Sequence, residues 1–295
     1  MKKKISFSAQ GRQADVGPMI IHRMLPNTYA QKVGSFVFLD HATPTLQKTR
    51  NSGGTGVHPH RGIATLTYII HGEVEHFDSA GNRKTVHSGG IQWMKAGNGI
   101  LHDELMNYDS NTDSKLTHGF QFWINLPAKI KAEKPDYLAV EGSEVPQKAL
   151  PDSSGWIKVI LGNYEDLNAN IPNYLPQFLY HIHLQPGKTF SIKMENEVEV
   201  AALLLSQKVV INDALFQSGE FVEFDRESGT IEISNESNDD IDVLLFGGAP
   251  YTEPVVAEGP FVMNTPAEIV DAYRDFYTGK YGKIEAKIGR VQHES

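Results

Sequence analysis

The stretch TYIIHGEVEHF, Thr67 to Phe77, places two short runs of β-branched and aromatic residues on either side of Gly72. Runs of this length and composition, broken by one turn residue, read as two antiparallel strands joined by a tight turn. A weak copy of the same strand, turn, strand pattern stands at ALLLSQKVVIN, from Ala202. Two copies of one β unit in a chain of 295 residues predict two domains of related fold, since a single core rarely serves so long a chain.

Further runs of the same kind flank each copy. In the first half they lie at Ser35 to Asp40, Ala64 to Ile70, Val74 to Phe77 and Phe120 to Leu126. In the second they lie at Trp156 to Leu161, Gln177 to Leu184, Val198 to Leu205, Phe221 to Phe224, Ile231 to Ser234 and Ile241 to Phe246. The fold class is therefore all-β and mostly antiparallel. Between the halves, Lys129 to Gly155 carries three prolines and many charges without a sustained period, as an irregular connection would. The expected division is residues 1–132 and 133–295. A single strong helix signal comes late: Thr265, Pro266 and Glu268 fit an N-cap, a proline at the first helical position and a capping-box glutamate. Ile269, Val270, Tyr273, Phe276 and Tyr277 then recur at helical spacing, and Gly279 stands where a C-terminal cap belongs.

Composition removes several function classes. Lys and Arg number 27 against 36 Asp and Glu, a net charge of −9, and the one basic cluster is Lys2-Lys3-Lys4, so nucleic-acid binding is not expected. ISFSAQGRQADV after those lysines is no signal-peptide core, and no apolar run approaches the roughly 18 residues of a membrane span. The expectation is a cytoplasmic protein with no membrane partner. The chain has no cysteine, which excludes thiolate catalysis and every cysteine-based metal site. No GxSxG elbow or Walker A loop occurs.

Chemistry concentrates in two short segments. In HPHRG, His58 and His60 are two residues apart, so on an extended chain both imidazoles leave the same face. GNGILHDELM repeats that spacing with His102 and Glu104. Two such pairs on facing strands can converge on one ion. Three imidazoles and a carboxylate suit Fe, Zn, Cu, Ni, Co or Mn, and on an octahedral ion they leave two positions open. Carrying the repeat upstream puts Lys193 and Glu195 opposite His58 and His60, so a metal is expected in the first barrel alone.

HPHRG at His58, YIIHGEVEHFDSAGN from Tyr68, QWMKAGNGILHDE from Gln92, FQFWINLP from Phe120 and GPFVMNT from Gly259 together resemble the pirin family of the cupin superfamily. The resemblance implies a bicupin: two stacked cupin-type β-barrels, with one divalent metal, Fe(II) in first place, on His58, His60, His102 and Glu104, and a degenerate second barrel. It also implies a dioxygenase acting on flavonols such as quercetin, with Glu104 taking the proton of the substrate hydroxyl. The other activity it implies is a non-catalytic, redox-sensing module with a protein partner. One departure is Ile63-Ala64-Thr65, where related sequences place an acidic residue after HPHRG; this is expected to alter contacts around the metal or substrate.

Other histidines have plainer readings. His71 and His76 flank Gly72 and are candidates for neighbours of the metal, but half-exposed strand residues are the preferred reading. His181 and His183 form a second HxH, but no HxE follows them, so they read as strand histidines. Arg61 reads as an exposed salt bridge or as a group orienting the site. Gln92 and Met94 are expected on one strand face and Trp93 on the other.

Overall fold

A computed structural model describes residues 1–17 and 19–284; the last part of the expected second domain, residues 285–295, lies outside the described residues. Each of the strand runs read from the sequence is a strand, and the two halves repeat one plan. In the first, a seven-stranded sheet runs Asp136–Val140, Ile91–Lys95, Ile63–His71, Leu116–Asn125, Phe36–Leu46, Met19–Leu25, Arg12–Val16. A four-stranded sheet of His58–His60, Ile100–Asn107, Glu73–Asp78 and Arg83–His87 faces it. The second half repeats the count of seven and four. Its large sheet is Ile5–Gln10, Glu220–Phe224, Glu199–Leu204, Ile241–Gly248, Gln177–Leu184, Gly155–Leu161 and Gln147–Ala149.

The internal repeat holds in three dimensions. Ile63–His71 and Glu199–Leu204 each lie inside the large sheet of their half, and each is followed by a strand of the small one. Strand pairing crosses the expected division in both directions: Ile5–Gln10 pairs with Glu220–Phe224, and Asp136–Val140 pairs with Ile91–Lys95. The segment read as irregular, 129 to 155, thus contributes an edge strand to each large sheet, Asp136–Val140 and Gln147–Ala149. Both are short and half-exposed, with alternation too brief to stand out among prolines and charges.

Packing explains why the halves stay together. The largest apolar cluster lies between the two large sheets and joins Phe36, Phe120 and Phe122 of the first to Phe221, Leu244 and Phe246 of the second. Phe36 and Phe122 meet Phe246 edge-on at 5.2 and 5.5 Å, an arrangement aromatic rings favour. The second barrel's interior is filled by its own apolar cluster, including Ile182, Val200 and Leu245. The first barrel holds only small apolar groups. Ala64 is buried in the cluster between the barrels, so the departure after HPHRG bears on packing rather than on the metal ligands.

The C-terminal helix Pro266–Tyr277 starts as the sequence predicts. Thr265 Oγ1 accepts from Glu268 N, and Glu268 Oε2 accepts from Thr265 N. Gly279, at φ +77°, donates its N–H to Phe276 O. Ile269 and Ala272 pack on Phe261 and Met263 beside the first barrel. No helix of the described residues is long and apolar enough to cross a membrane.

Candidate metal centre

Three adjacent strands of the small sheet build the site. His58–His60 is an edge strand paired with Ile100–Asn107, with His102 opposite His58. On its other side Ile100–Asn107 pairs with Glu73–Asp78, placing Glu104 opposite His76 and His102 opposite Asp78. The two-residue period then brings His58, His60, His102, Glu104 and His76 to one row inside the barrel.

Donor atoms of His58, His60 and His102 all lie within 4.8 Å of one another. His58 Nε2 and His102 Nε2 are 3.0 Å apart, a spacing that cis ligands at about 2.1 Å from one ion would have. His60 and His102 are fully buried, and His58 is half-buried. His58 Nδ1 lies 2.7 Å from Gly56 O, and His60 Nδ1 lies 3.1 Å from Pro260 O. A carbonyl only accepts, so both Nδ1 atoms carry the proton and both Nε2 lone pairs face inward. His60 Nε2 is buried with no hydrogen-bond partner, a costly state that a metal bond would relieve. Burial and then the neighbouring His58 hold the His60 pKa down at about 3, and burial with His60 and His58 pushes that of His102 well below its ordinary value. Both therefore stand in the neutral form that binds metals.

Glu104 sits to one side of this trio. Its donor atom groups within 4.8 Å with those of His102 and His76, so His102 is shared between two triads. Thr67 Oγ1 donates to Glu104 Oε1 at 3.0 Å, and Gln121 Nε2 donates to Oε2. His76 is the residue whose surroundings the sequence did not reveal. It is 1% exposed, not half-exposed, with Nε2 3.1 Å from Asp78 Oδ2, Nδ1 3.9 Å from Glu104 Oε1, and its ring stacked on Tyr137 at 4.3 Å. Burial pulls its pKa down, but hydrogen bonding to Asp78 and Glu104 outweighs that and raises it.

Several other candidates are accounted for by local bonding. His181 Nε2 and His183 Nδ1 both meet Asp242 Oδ1, at 2.9 and 3.0 Å, and His181 Nδ1 meets the Tyr68 hydroxyl at 2.7 Å. Lys193 and Glu195 pair at the surface. Arg61 Nη1 donates to Asp275 Oδ2 on the C-terminal helix at 2.9 Å; this bridge is largely shielded, not exposed. Trp93 faces the cluster between the barrels and Met94 the first barrel's interior. A third group, Glu73, His87 and Asp109, has its carboxylates occupied by Arg50, Ser110, Ser88 and Asn111.

A cavity of about 390 Å³ opens beside His58 and is lined by Arg23, Phe38, Asp40, Gln121 and Trp123. Phe38 and Trp123 stack on each other at 4.1 Å and 12°, and His60 meets Trp123 edge-on at 4.8 Å. Arg23 lies 4.3 Å over Phe38 and grips Asp40 with two bonds of 2.8 Å.

Known proteins share this architecture. The pirin family's sequence model matches residues 19–124, and the pirin C-terminal cupin domain matches residues 179–282. A pirin-like protein of Caulobacter vibrioides is 35% identical over 265 residues, covering 88% of this chain and 91% of the relative. A crystal structure named as quercetin 2,3-dioxygenase from Acinetobacter baumannii superposes with a TM-score of 0.89 at 31% identity, covering 97% of this chain and 100% of that one. A bacterial pirin from Escherichia coli, solved in complex with nickel(II), shares the fold with a TM-score of 0.62 at 21% identity, covering 83% of this chain and 99% of that one. Its paired barrels make the chain a bicupin, and it belongs to the pirin family.

Proposed function

We propose that this chain is a metal-dependent dioxygenase that cleaves flavonols such as quercetin, with one divalent metal held by His58, His60, His102 and Glu104. The observation that carries the proposal is the convergence of three imidazoles whose donor atoms lie within 4.8 Å of one another, two of them with Nδ1 committed to a backbone carbonyl. Three imidazole nitrogens and one carboxylate suit Fe(II), and also Zn, Cu, Ni, Co or Mn. When bound, such an ion supplies polarisation of a phenolic hydroxyl and open positions for dioxygen.

The chain's own residues supply the remainder. The paired rings of Phe38 and Trp123 give the cavity beside His58 an aromatic side against which a planar ring system can pack. Arg23 and Asp40 offer a donor and an acceptor to hydroxyl groups of that ring system. Glu104, the carboxylate of the ligand set, takes the hydroxyl proton, a task a neutral amide cannot perform. Glu104 is 7% exposed, so bulk water does not compete for that proton. The name quercetin 2,3-dioxygenase on the Acinetobacter baumannii structure agrees with this reading.

Oxygen uptake with quercetin, on protein loaded in turn with each of these metals, tests it. Turnover in at least one metal, falling by about 10²- to 10⁴-fold in metal-matched Glu104→Gln, is the expected result. No uptake on any flavonol in any of these metals would remove the enzyme and leave a redox-sensing interaction module.

A further inference from the structure

Glu104 comes from the small sheet, yet what holds its carboxylate belongs to the large one. Thr67 and Gln121 are direct cross-strand partners on Ile63–His71 and Leu116–Asn125. Thr67 Oγ1 donates to Oε1, and Gln121 Nε2 donates to Oε2. One rung of the large sheet thus clamps both oxygens of a side chain reaching across the barrel. The neighbouring inward residue of the same strand, Trp123, donates its indole Nε1–H to Gln121 Oε1 at 3.3 Å. An indole N–H can only donate and a carboxylate can only accept, so the Gln121 amide has one favourable orientation. Turning it over would set two donors against each other at Trp123 and two acceptors against each other at Glu104.

We propose that Gln121 is a positioning residue for Glu104: the relay from Trp123 through the Gln121 amide fixes which way the carboxylate presents itself to the metal. This rests on Glu104 being a ligand. The relay has a cost that a purely structural residue would not need to carry, because Gln121 also lines the cavity beside His58, where an apolar side chain would pack against Phe38 and Trp123 with no donor to satisfy. Its amide also joins the aromatic pair of Phe38 and Trp123 to the ligand set. A substrate seated on Trp123 therefore touches the same residue chain that orients Glu104. Of the two clamps, Gln121 is the more exposed to that influence, since Thr67 lies 8% exposed beneath the carboxylate.

The test is a double-mutant cycle on full-length protein, with cobalt(II) as probe, reading both its dissociation constant by competition with a chelator and its visible absorption bands. Gln121→Met keeps the length and removes the donor. It is expected to weaken cobalt binding by about 10- to 100-fold and to shift the visible bands. In a Glu104→Ala background the same change should matter less than about threefold and leave the bands unmoved, because the group it acts through is gone. Trp123→Phe, which keeps the stack on Phe38 and removes the indole donor, should move both readouts in the same direction by less. This variant carries the cycle if Gln121→Met folds poorly. Equal losses in both backgrounds, or no change from Gln121→Met while Glu104→Ala does weaken binding, would overturn the positioning role alone. Wild-type affinity and bands in Glu104→Ala would overturn the ligand reading itself, and the positioning role with it.

Discussion

Gly62, the last residue of HPHRG, ties the strand of His58 and His60 to the segment Phe261–Met263, and Gly62→Ala should break that tie. Gly62 has φ +84°, and a Cβ added there would overlap the backbone carbonyl oxygen of Val262. Backbone has no rotamer with which to move aside, so Phe261–Met263 must shift. That carbonyl accepts from the buried Lys131 Nζ at 2.9 Å, and Val262 N donates to Arg61 O at 3.1 Å. Two residues away, Pro260 O is the acceptor that sets the His60 ring. A left-handed non-glycine residue costs about 1–3 kcal/mol. Leaving a buried polar group such as the Lys131 ammonium without its acceptor adds about 1–3 kcal/mol. The sum, about 2–6 kcal/mol, should lower the urea midpoint by roughly 1 M or more. Metal affinity should fall by about 10-fold or more as His60 loses its orienting carbonyl. Urea unfolding followed by circular dichroism, with metal titration on the same samples, reads both. A variant with the wild-type midpoint and wild-type affinity would refute the idea that Phe261–Met263 holds the strand of His58 and His60 in place.

Three further outcomes follow from the same geometry. His102→Ala and His58→Ala should each weaken metal binding by more than about 100-fold while far-UV circular dichroism stays native, because neither histidine belongs to an apolar cluster; unfolding of either variant in metal-free buffer would instead make the ion a folding element. Phe246→Ala should cost about 3–5 kcal/mol, since Phe246 is fully buried between the barrels, and a loss below about 1 kcal/mol in urea titration would show that the interface is not shared as described. Glu223 has a buried Oε2 without a partner, and burial, with Glu199 nearby, pushes its pKa up to about 7. A raised carboxyl contributes stability that is complete below its unfolded value, near 4.5, and is lost as pH climbs through about 7. Glu223→Gln should therefore gain on the wild type by about 1 kcal/mol between about pH 4.5 and pH 8, after discount for partial exposure; an equal difference at both pH values would contradict it.

The reach of the sequence follows from which interactions are local. Strands such as Gln177–Leu184 declare themselves through β-branched and aromatic runs, and the C-terminal helix through Thr265, Pro266 and Glu268, because period and capping are set within a few residues. His58, His60, His102 and Glu104 are legible for the same reason: spacing of two residues puts each pair on one face. What the sequence hides is register. That Glu104 lies opposite His76, or that Thr67 and Gln121 share a rung, depends on how strands align, and nothing within either strand states it. Pro260 reaches His60 across 200 positions, although GPFVMNT stood out as a landmark. The strand Ile5–Gln10 is hidden likewise, since its own alternation does not say that it joins the second barrel.

The placement of the cores gives the pairing of barrels a physical reason. A barrel that points His60, His76, His102, Glu104, Thr67 and Gln121 inward has used its interior for polar groups, and what remains inside are small apolar clusters. Polar interiors of this kind contribute little net stability even when each member is bonded. The opposite face of the same large sheet carries Leu39, Leu66, Tyr68, Phe120 and Phe122, all at most 2% exposed, and these need an apolar partner. The second barrel supplies it, and its own interior is apolar throughout, from Ile157 to Leu245. At about 25 cal/mol per Å² of apolar surface, the burial that the first barrel lacks inside is recovered outside. The second barrel thus supports the candidate metal centre by stabilising the sheet whose other face carries Thr67, Gln121 and Trp123.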